Sequence, residues 1–235
     1  MRPQFLSVTL LIFVLSSSLA WADGLIYQLP ADGTSAHYEL SATSTRGETV
    51  HEMTGTLQLS SVGSSIENGV KCRWIEIKMT LKRGDGVSTI VAKVLTPEKE
   101  LQYGGAPYDK MLRSWVRMRE GGDVVKIDDS NKGPLPGFLS GPLKEAKPLE
   151  PIVVESKFGN LNCKGVTGFT EFKEGLRDNK VVFETRLHNT APFGVVKSKM
   201  NVTVTSTDNQ TRTLALVMTL SKSSKGARTQ LAENN

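Results

Sequence analysis

The chain has 235 residues, 29 lysines and arginines against 24 acids, a formal net charge of +5 and 38% hydrophobic residues. That length suits one large β domain or two small ones. Nucleic-acid binding would need a contiguous basic surface with stacking aromatics, and here the charges are interspersed, so a nucleic-acid partner is not expected.

Arg2, the apolar run Phe5 to Leu15 and the small residues ending in Ala20-Trp21-Ala22 read as an export signal over residues 1–22, cut before Asp23. The apolar core is about half of the roughly 20 residues that a membrane-spanning helix needs. No cysteine lies near the cut to accept a lipid anchor. The expected product is soluble, exported to the periplasm or beyond, and not an integral membrane protein. Residues 23–221 read as a single β-rich domain, because no Ser/Gly-rich linker divides them, and 222–235 as a polar, frayed tail.

Alternation of apolar and polar residues dominates the rest. Ser35 to Ser44 and Glu52 to Ser60 form a hairpin around Thr45-Arg46-Gly47, followed by a polar loop over Ser60 to Gly69. Lys71 to Lys82 and Val87 to Thr96 pair across Gly84-Asp85-Gly86. Pro97 to Gln102 suits a short helical turn. Over 107–120 the period changes: Tyr108, Met111, Leu112, Trp115 and Val116 fall at helical spacing between Pro107 and Gly121-Gly122, which predicts the one main helix. Val124 to Ile127 is a short strand. Between Gly133 and Pro151 the breakers Pro134, Pro136, Gly137, Gly141, Pro142 and Pro148 predict a loop, with at most one helical turn near Phe138 to Leu143, covering an open end of the sheet. Ile152 to Ser156, a bent strand over Leu161 to Phe172, Val181 to His188, Val196 to Val204 and Thr211 to Ser221 complete a mainly β (α+β) fold. The expected architecture is a curved antiparallel sheet or half-open β-barrel with the helix packed on or near its concave side.

Cys72 and Cys163 most simply pair in an exported chain, which would close a loop worth up to roughly 4 to 5 kcal/mol in the chain-entropy model. The alternatives are two buried thiols or two reactive ones. No catalytic or cofactor motif stands out. His37, His51 and His188 are scattered, with no H-x-x-x-H pair, and His37 and His188 fall on the polar phase of their strands. Gly137-Phe138-Leu139-Ser140-Gly141 puts its serine one place late for a hydrolase elbow, and no phosphate-binding glycine motif follows a strand. A non-catalytic protein without a metal or cofactor is therefore expected. The candidate site is apolar: Ile75, Ile77, Met79, Leu81, Ile90, Val94, Trp115, Leu214, Leu216 and Met218 would line the concave face. Either they simply fill the core, or they leave room for an apolar chain.

The breaker-rich corner His188 to Lys197 contains Pro192-Phe193-Gly194-Val195-Val196-Lys197, preceded by Asn162-Cys163-Lys164-Gly165 and the strand Val181 to His188. In these elements the chain resembles secreted proteins of the periplasmic lipoprotein-carrier-like superfamily, half-open β-barrels with helices on the concave side. Arg73-Trp74-Ile75-Glu76, Thr96-Pro97-Glu98-Lys99-Glu100 and Arg113-Ser114-Trp115-Val116 resemble, more narrowly, exported planctomycete proteins of unknown function. The superfamily resemblance implies a lipid or a lipoprotein acyl chain as partner and carries over no individual binding residue. A structural or protein-interaction module of the cell envelope with a solid core is the alternative. In either case Pro192, Phe193 and Gly194 read as an architectural turn, with Pro192 setting φ, Gly194 relieving the backbone and Phe193 anchoring the bend.

Overall fold

A computed structural model describes residues 25–102, 105, 107, 110–127, 143–174, 177–207 and 210–231. The expected export signal and residues 128–142 of the breaker-rich region lie outside the described residues. Eleven strands form one antiparallel sheet: β1 (Ser35–Arg46), β2 (Thr49–Glu67), β3 (Val70–Arg83), β4 (Gly86–Pro97), β5 (Arg113–Arg117), β6 (Val125–Ile127), β7 (Lys144–Ser156), β8 (Gly159–Glu174), β9 (Arg177–Leu187), β10 (Val195–Thr205) and β11 (Thr211–Ser224). Their order is β6-β5-β4-β3-β2-β1-β11-β10-β9-β8-β7. Two meanders are thus joined through β1 and β11, whose register runs from Ser35↔Ser224 to Arg46↔Arg212 with one shift at His37/Tyr38. The sheet curves without closing, and β7 comes back over β10 and β11.

Both free edges resist pairing with another chain. β6 is three residues long, and β7 carries Pro148, Pro151, Lys144 and Lys147. The expectation of a loop as far as Pro151 is corrected here. β7 begins at Lys144 and accommodates its prolines because it is an edge strand with register breaks between Lys144 and Lys147 and between Leu149 and Ile152. β2 likewise runs through the expected polar loop to Glu67, past a shift between Ser61 and Ser64.

The expected helix is absent. Residues 113–117 form β5, and no α-helix occurs among the described residues, which contain a single 3-10 turn at Glu98–Glu100. Ser114 and Val116 are buried while Arg113, Trp115 and Arg117 are only partly so, which is strand alternation on a ladder with β4. In so short a window Trp115 and Val116 satisfy a helical stripe equally well, and pairing with β4 decides the outcome. Nor does any helix have the length and apolarity to cross a membrane among these residues, a statement that leaves β-strand spans aside.

Ala36, Tyr38 and Leu40 of β1, Leu57 and Leu59 of β2, Ile75 and Ile77 of β3, Phe183 of β9 and Met218 and Leu220 of β11 make one core cluster on the inner face. Each such side chain contributes roughly 1.5 to 3 kcal/mol by leaving water. Burial is graded along the strands. At one end, here the base, Leu25, Ile26, Leu101, Ala191 and Phe193 seal the cluster. At the other, the tip, Met53, Met79, Leu81, Ile90, Val202 and Leu214 are only partly buried. The base is also pinned electrostatically. The Arg73 guanidinium, 9% exposed, donates to Glu98 Oε1 at 2.7 and 3.1 Å and to Ser61 Oγ at 2.8 Å. Burial acts to raise the Glu98 pKa, but hydrogen bonds from Arg73 and Lys71 hold it below the ordinary carboxylate value.

The outer face of β3 and β4 carries a second cluster of Cys72, Trp74 and Leu95, with Val62 and Trp115 against it. The Trp74 and Trp115 rings lie 5.3 Å apart, and Lys93 Nζ sits 4.6 Å from the Trp74 centroid. Beside this cluster runs the supposedly frayed tail, whose residues 225–231 are ordered against the sheet. Ala227 N donates to Gly33 O at 2.8 Å, and Glu76 Oε2 accepts from Thr229 Oγ1 at 2.9 Å and from the backbone of Gln230 and Leu231 at 2.8 and 3.3 Å. Glu76 and Leu231 are 2% and 1% exposed. Glu76→Ala would strand the Gln230 backbone donor and remove one acceptor from Leu231 N, and is expected to cost about 2 to 3 kcal/mol, read as a lower urea midpoint at constant slope.

The expected Cys72–Cys163 bridge is not formed. Both cysteines are buried free thiols, Cys72 in the outer cluster on β3 and Cys163 in the core cluster on β8, six strands away in sheet order. A disulfide requires Cα atoms within about 7 Å. Burial pushes both thiols above their ordinary pKa, so both are protonated and slow to react near neutrality. Aromatic-disulfide titration should therefore find almost no reactive thiol in native protein and two in urea. Failure to titrate any thiol in unreduced, unfolded protein would restore the bridge.

Candidate functional site

Nine of the ten expected lining residues lie together on the inner face, and they divide by depth. Ile75, Ile77, Val94, Leu216 and Met218 are buried in the core, while Met79, Leu81, Ile90 and Leu214 are partly open towards the tip. Trp115 is the exception. It belongs to the outer cluster with Trp74, because the even-numbered residues of β5 take the inner side.

A cavity of about 860 Å³ lies elsewhere, at the base, and none of those ten residues lines it. Four segments distant in sequence build it: Tyr27 and Gln28, Pro148 to Pro151 of β7, Asn162, Lys164 and Gly165 of β8, and Leu187 to Asn189 with Gly194 of the corner. Its size is that of a small-ligand site, and its wall mixes Tyr27, Leu149, Leu187 and prolines with amides, Glu150 and Lys164. Sequence reading missed it because no single segment carries a motif. The nearest signal was the cluster of breakers at the corner.

The corner holds that cavity in shape. Phe193 is fully buried, and its carbonyl accepts from Tyr27 N at 2.9 Å. His188 N donates to Gly194 O, also at 2.9 Å, and Gly194 N to Ala191 O at 2.8 Å. Gln28 Nε2 donates to Ala191 O at 2.5 Å and Asn189 O at 3.1 Å, tying the N-terminal segment to the turn. His188 Nδ1 lies 2.8 Å from Thr190 Oγ1 and 3.3 Å from Thr190 N. Tyr38, fully buried, donates its hydroxyl to Val195 O at 3.2 Å, and burial pushes its pKa upward.

His37, read from sequence as solvent-facing, is partly buried where β1 meets the end of β11. Its Nε2 lies 3.2 Å from Ser35 Oγ and 3.3 Å from Ser224 Oγ, with the two hydroxyls 2.7 Å apart. Desolvation and then Lys222 lower its pKa. Ser35 is 1% exposed, and the cluster fastens the joint. Among the described residues no three of histidine, cysteine, aspartate and glutamate converge as a metal site would require.

No family model matches the chain, and neither does any curated protein. Solved structures similar to it include a Bacteroides fragilis protein described as exported with a YmcC-like fold, at 11% identity over 86% of this chain and 100% of that one, with a TM-score of 0.37. A DUF1329 family protein from Desulfovibrio piger shares 15% identity over 86% of this chain and 89% of its own, with a TM-score of 0.33. A Vibrio parahaemolyticus domain described as an outer membrane lipoprotein-sorting protein shares 12% identity over 86% and 88%, with a TM-score of 0.31. Likeness at this level concerns the course of the chain and assigns neither ligand nor activity.

Gly194 has φ +84°, and a Cβ added there would stand 2.9 Å from Tyr27 Cβ. Gly194→Val therefore faces both backbone strain and a clash, and is expected to destabilise by roughly 2 to 3 kcal/mol in urea unfolding. A Gly194→Val variant of unchanged stability would show that the corner can relax.

Proposed function

We propose that the chain is an exported, non-catalytic binding protein of the cell envelope that takes an apolar chain into the tip end of its sheet. The observation that carries this reading is the burial gradient of the inner face. At the base Leu25, Ile26 and Phe193 are fully buried on the core, whereas Met53, Met79, Leu81, Ile90, Val202 and Leu214 form a half-covered apolar rim at the tip. Two of those six are methionines, whose flexible thioethers adapt to ligands of irregular shape. The resemblance of the Pro192 to Lys197 corner to lipoprotein-carrier-like proteins supports the same reading, with a lipid or a lipoprotein acyl chain as the ligand.

A second reading, an interaction module with a solid core, draws on Ile75, Val94 and Met218, which are at most 2% exposed and leave no room deep in the sheet. Titration with the fluorescent probe N-phenyl-1-naphthylamine separates the two. Saturable binding is expected, weakened at least about tenfold by Met79→Glu combined with Leu214→Glu, alongside lipid recovered by native mass spectrometry from protein purified from its own host. No probe binding and no co-purified lipid would end the lipid-binding reading. A protein partner captured without lipid would favour the module.

A further inference from the structure

The cavity beside the corner exists because one strand outlasts its neighbour. β9 ends at Leu187, opposite Lys164, whereas β8 reaches Gly159 and over that stretch pairs with Ile152–Ser156 of β7 alone. The β7–β8 turn has two residues, Lys157 and Phe158, which makes Ser156 and Gly159 its closing hydrogen-bonded pair. Successive residues of an antiparallel strand bond to alternate sides. Counted from Gly159, Leu161 and Cys163 turn their main-chain groups to β7, and Asn160, Asn162 and Lys164 turn theirs the other way. Lys164 meets Leu187 there. At Asn162, which lines the cavity, no described residue continues the ladder, because the chain has turned at His188 into the corner.

We infer that this cavity receives an extended peptide segment, which adds to β8 in line with β9 and exchanges main-chain hydrogen bonds with Asn162. Pro148 and Pro151 obstruct the outer edge of β7, so strand addition is steered to the β8 side. Leu149, Leu187 and Tyr27 offer an apolar wall for one side chain. Glu150 and Lys164 are both exposed and neither is ion-paired with a described residue, which favours a peptide carrying charges of both signs around an apolar residue. This inference is independent of lipid binding at the tip.

The test is selection from a displayed random heptapeptide library on the chain from Asp23 to Asn235, followed by fluorescence anisotropy with synthetic copies of the selected peptides. Micromolar binding is expected, with N-methylation of peptide residues of one parity weakening it at least about tenfold and of the other parity less than about twofold. Asn162→Pro removes a main-chain donor that points away from β7, and should weaken binding by at least about tenfold while leaving thermal unfolding unchanged. A library without a binder tighter than about 1 mM, or peptides indifferent to the parity of N-methylation, would overturn the inference. The N-methyl series decides the matter even if Asn162→Pro fails to fold. Peptides that bind Asn162→Pro as tightly as the parent would place recognition on side chains and overturn it as well.

Discussion

The pairing of β1 with β11 is the constraint on which the rest of this fold depends. Every other rung of the sheet joins strands adjacent in sequence, and β1 and β11 alone bring together the two ends of the chain. Without that seam there would be two meanders, each with an exposed edge and half a core. With it, Tyr38 and Leu40 from one meander meet Met218 and Leu220 from the other. The seam is also where the polar fastening concentrates. Ser35, His37 and Ser224 interlock at its end, and Ser221 Oγ donates to His37 O at 3.1 Å across the register shift. Such non-local pairing pays its loop-closure entropy before its contacts form, so a slow, late step in folding is the physical expectation.

Once β1 and β11 are joined, the described segments that flank them become structural parts of the base. Leu25 to Tyr27 enter the core at one side, and residues 225–231 run along the outer face of β3 and β4 at the other. Gly33 links the two directly, donating to Ser61 O and accepting from Ala227 N. The base therefore has three covers among the described residues, the N-terminal segment, the corner and the strap.

Alternation made much of the sheet legible. β1 and β9 to β11 carry it most cleanly, because one face of each is buried and the other is more exposed. Legibility failed where that premise fails. Arg113 to Arg117 is too short to separate a period of 3.6 from a period of 2, and its ladder partner is invisible in one dimension. Glu76 and Lys93 sit on the polar phase of β3 and β4, yet both are buried because the C-terminal strap and the Trp74 cluster cover them. No local signal in the strap announces this. The even cysteine count suggested a bridge, but pairing depends on which strands and faces the cysteines occupy, and here those differ. The apolar residues of the inner face were found from sequence, Trp115 excepted. The cavity at the base was not, since Gln28, Leu149, Lys164 and His188 are brought together only by the curl of β7 and the early end of β9.

Close approach of two neighbouring strands explains why glycine occurs inside a long strand of this sheet. A Cβ on Gly55 would fall 2.0 Å from Thr80 O, so β2 and β3 approach there more closely than any side chain permits. Gly55 lies opposite Leu81 and two residues from both Met53 and Leu57, at the point where burial gives way to the open rim. A larger residue would force the two strands apart. The width of the rim is thus set by a backbone contact as much as by the side chains around it. For that reason Met53, Met79 and Leu81 can be half-covered without the sheet losing its seal below them. An apolar ligand entering at the tip would meet flexible side chains mounted on two closely apposed strands, and its depth of entry would end at Ile77 and Leu57, where the packed core begins.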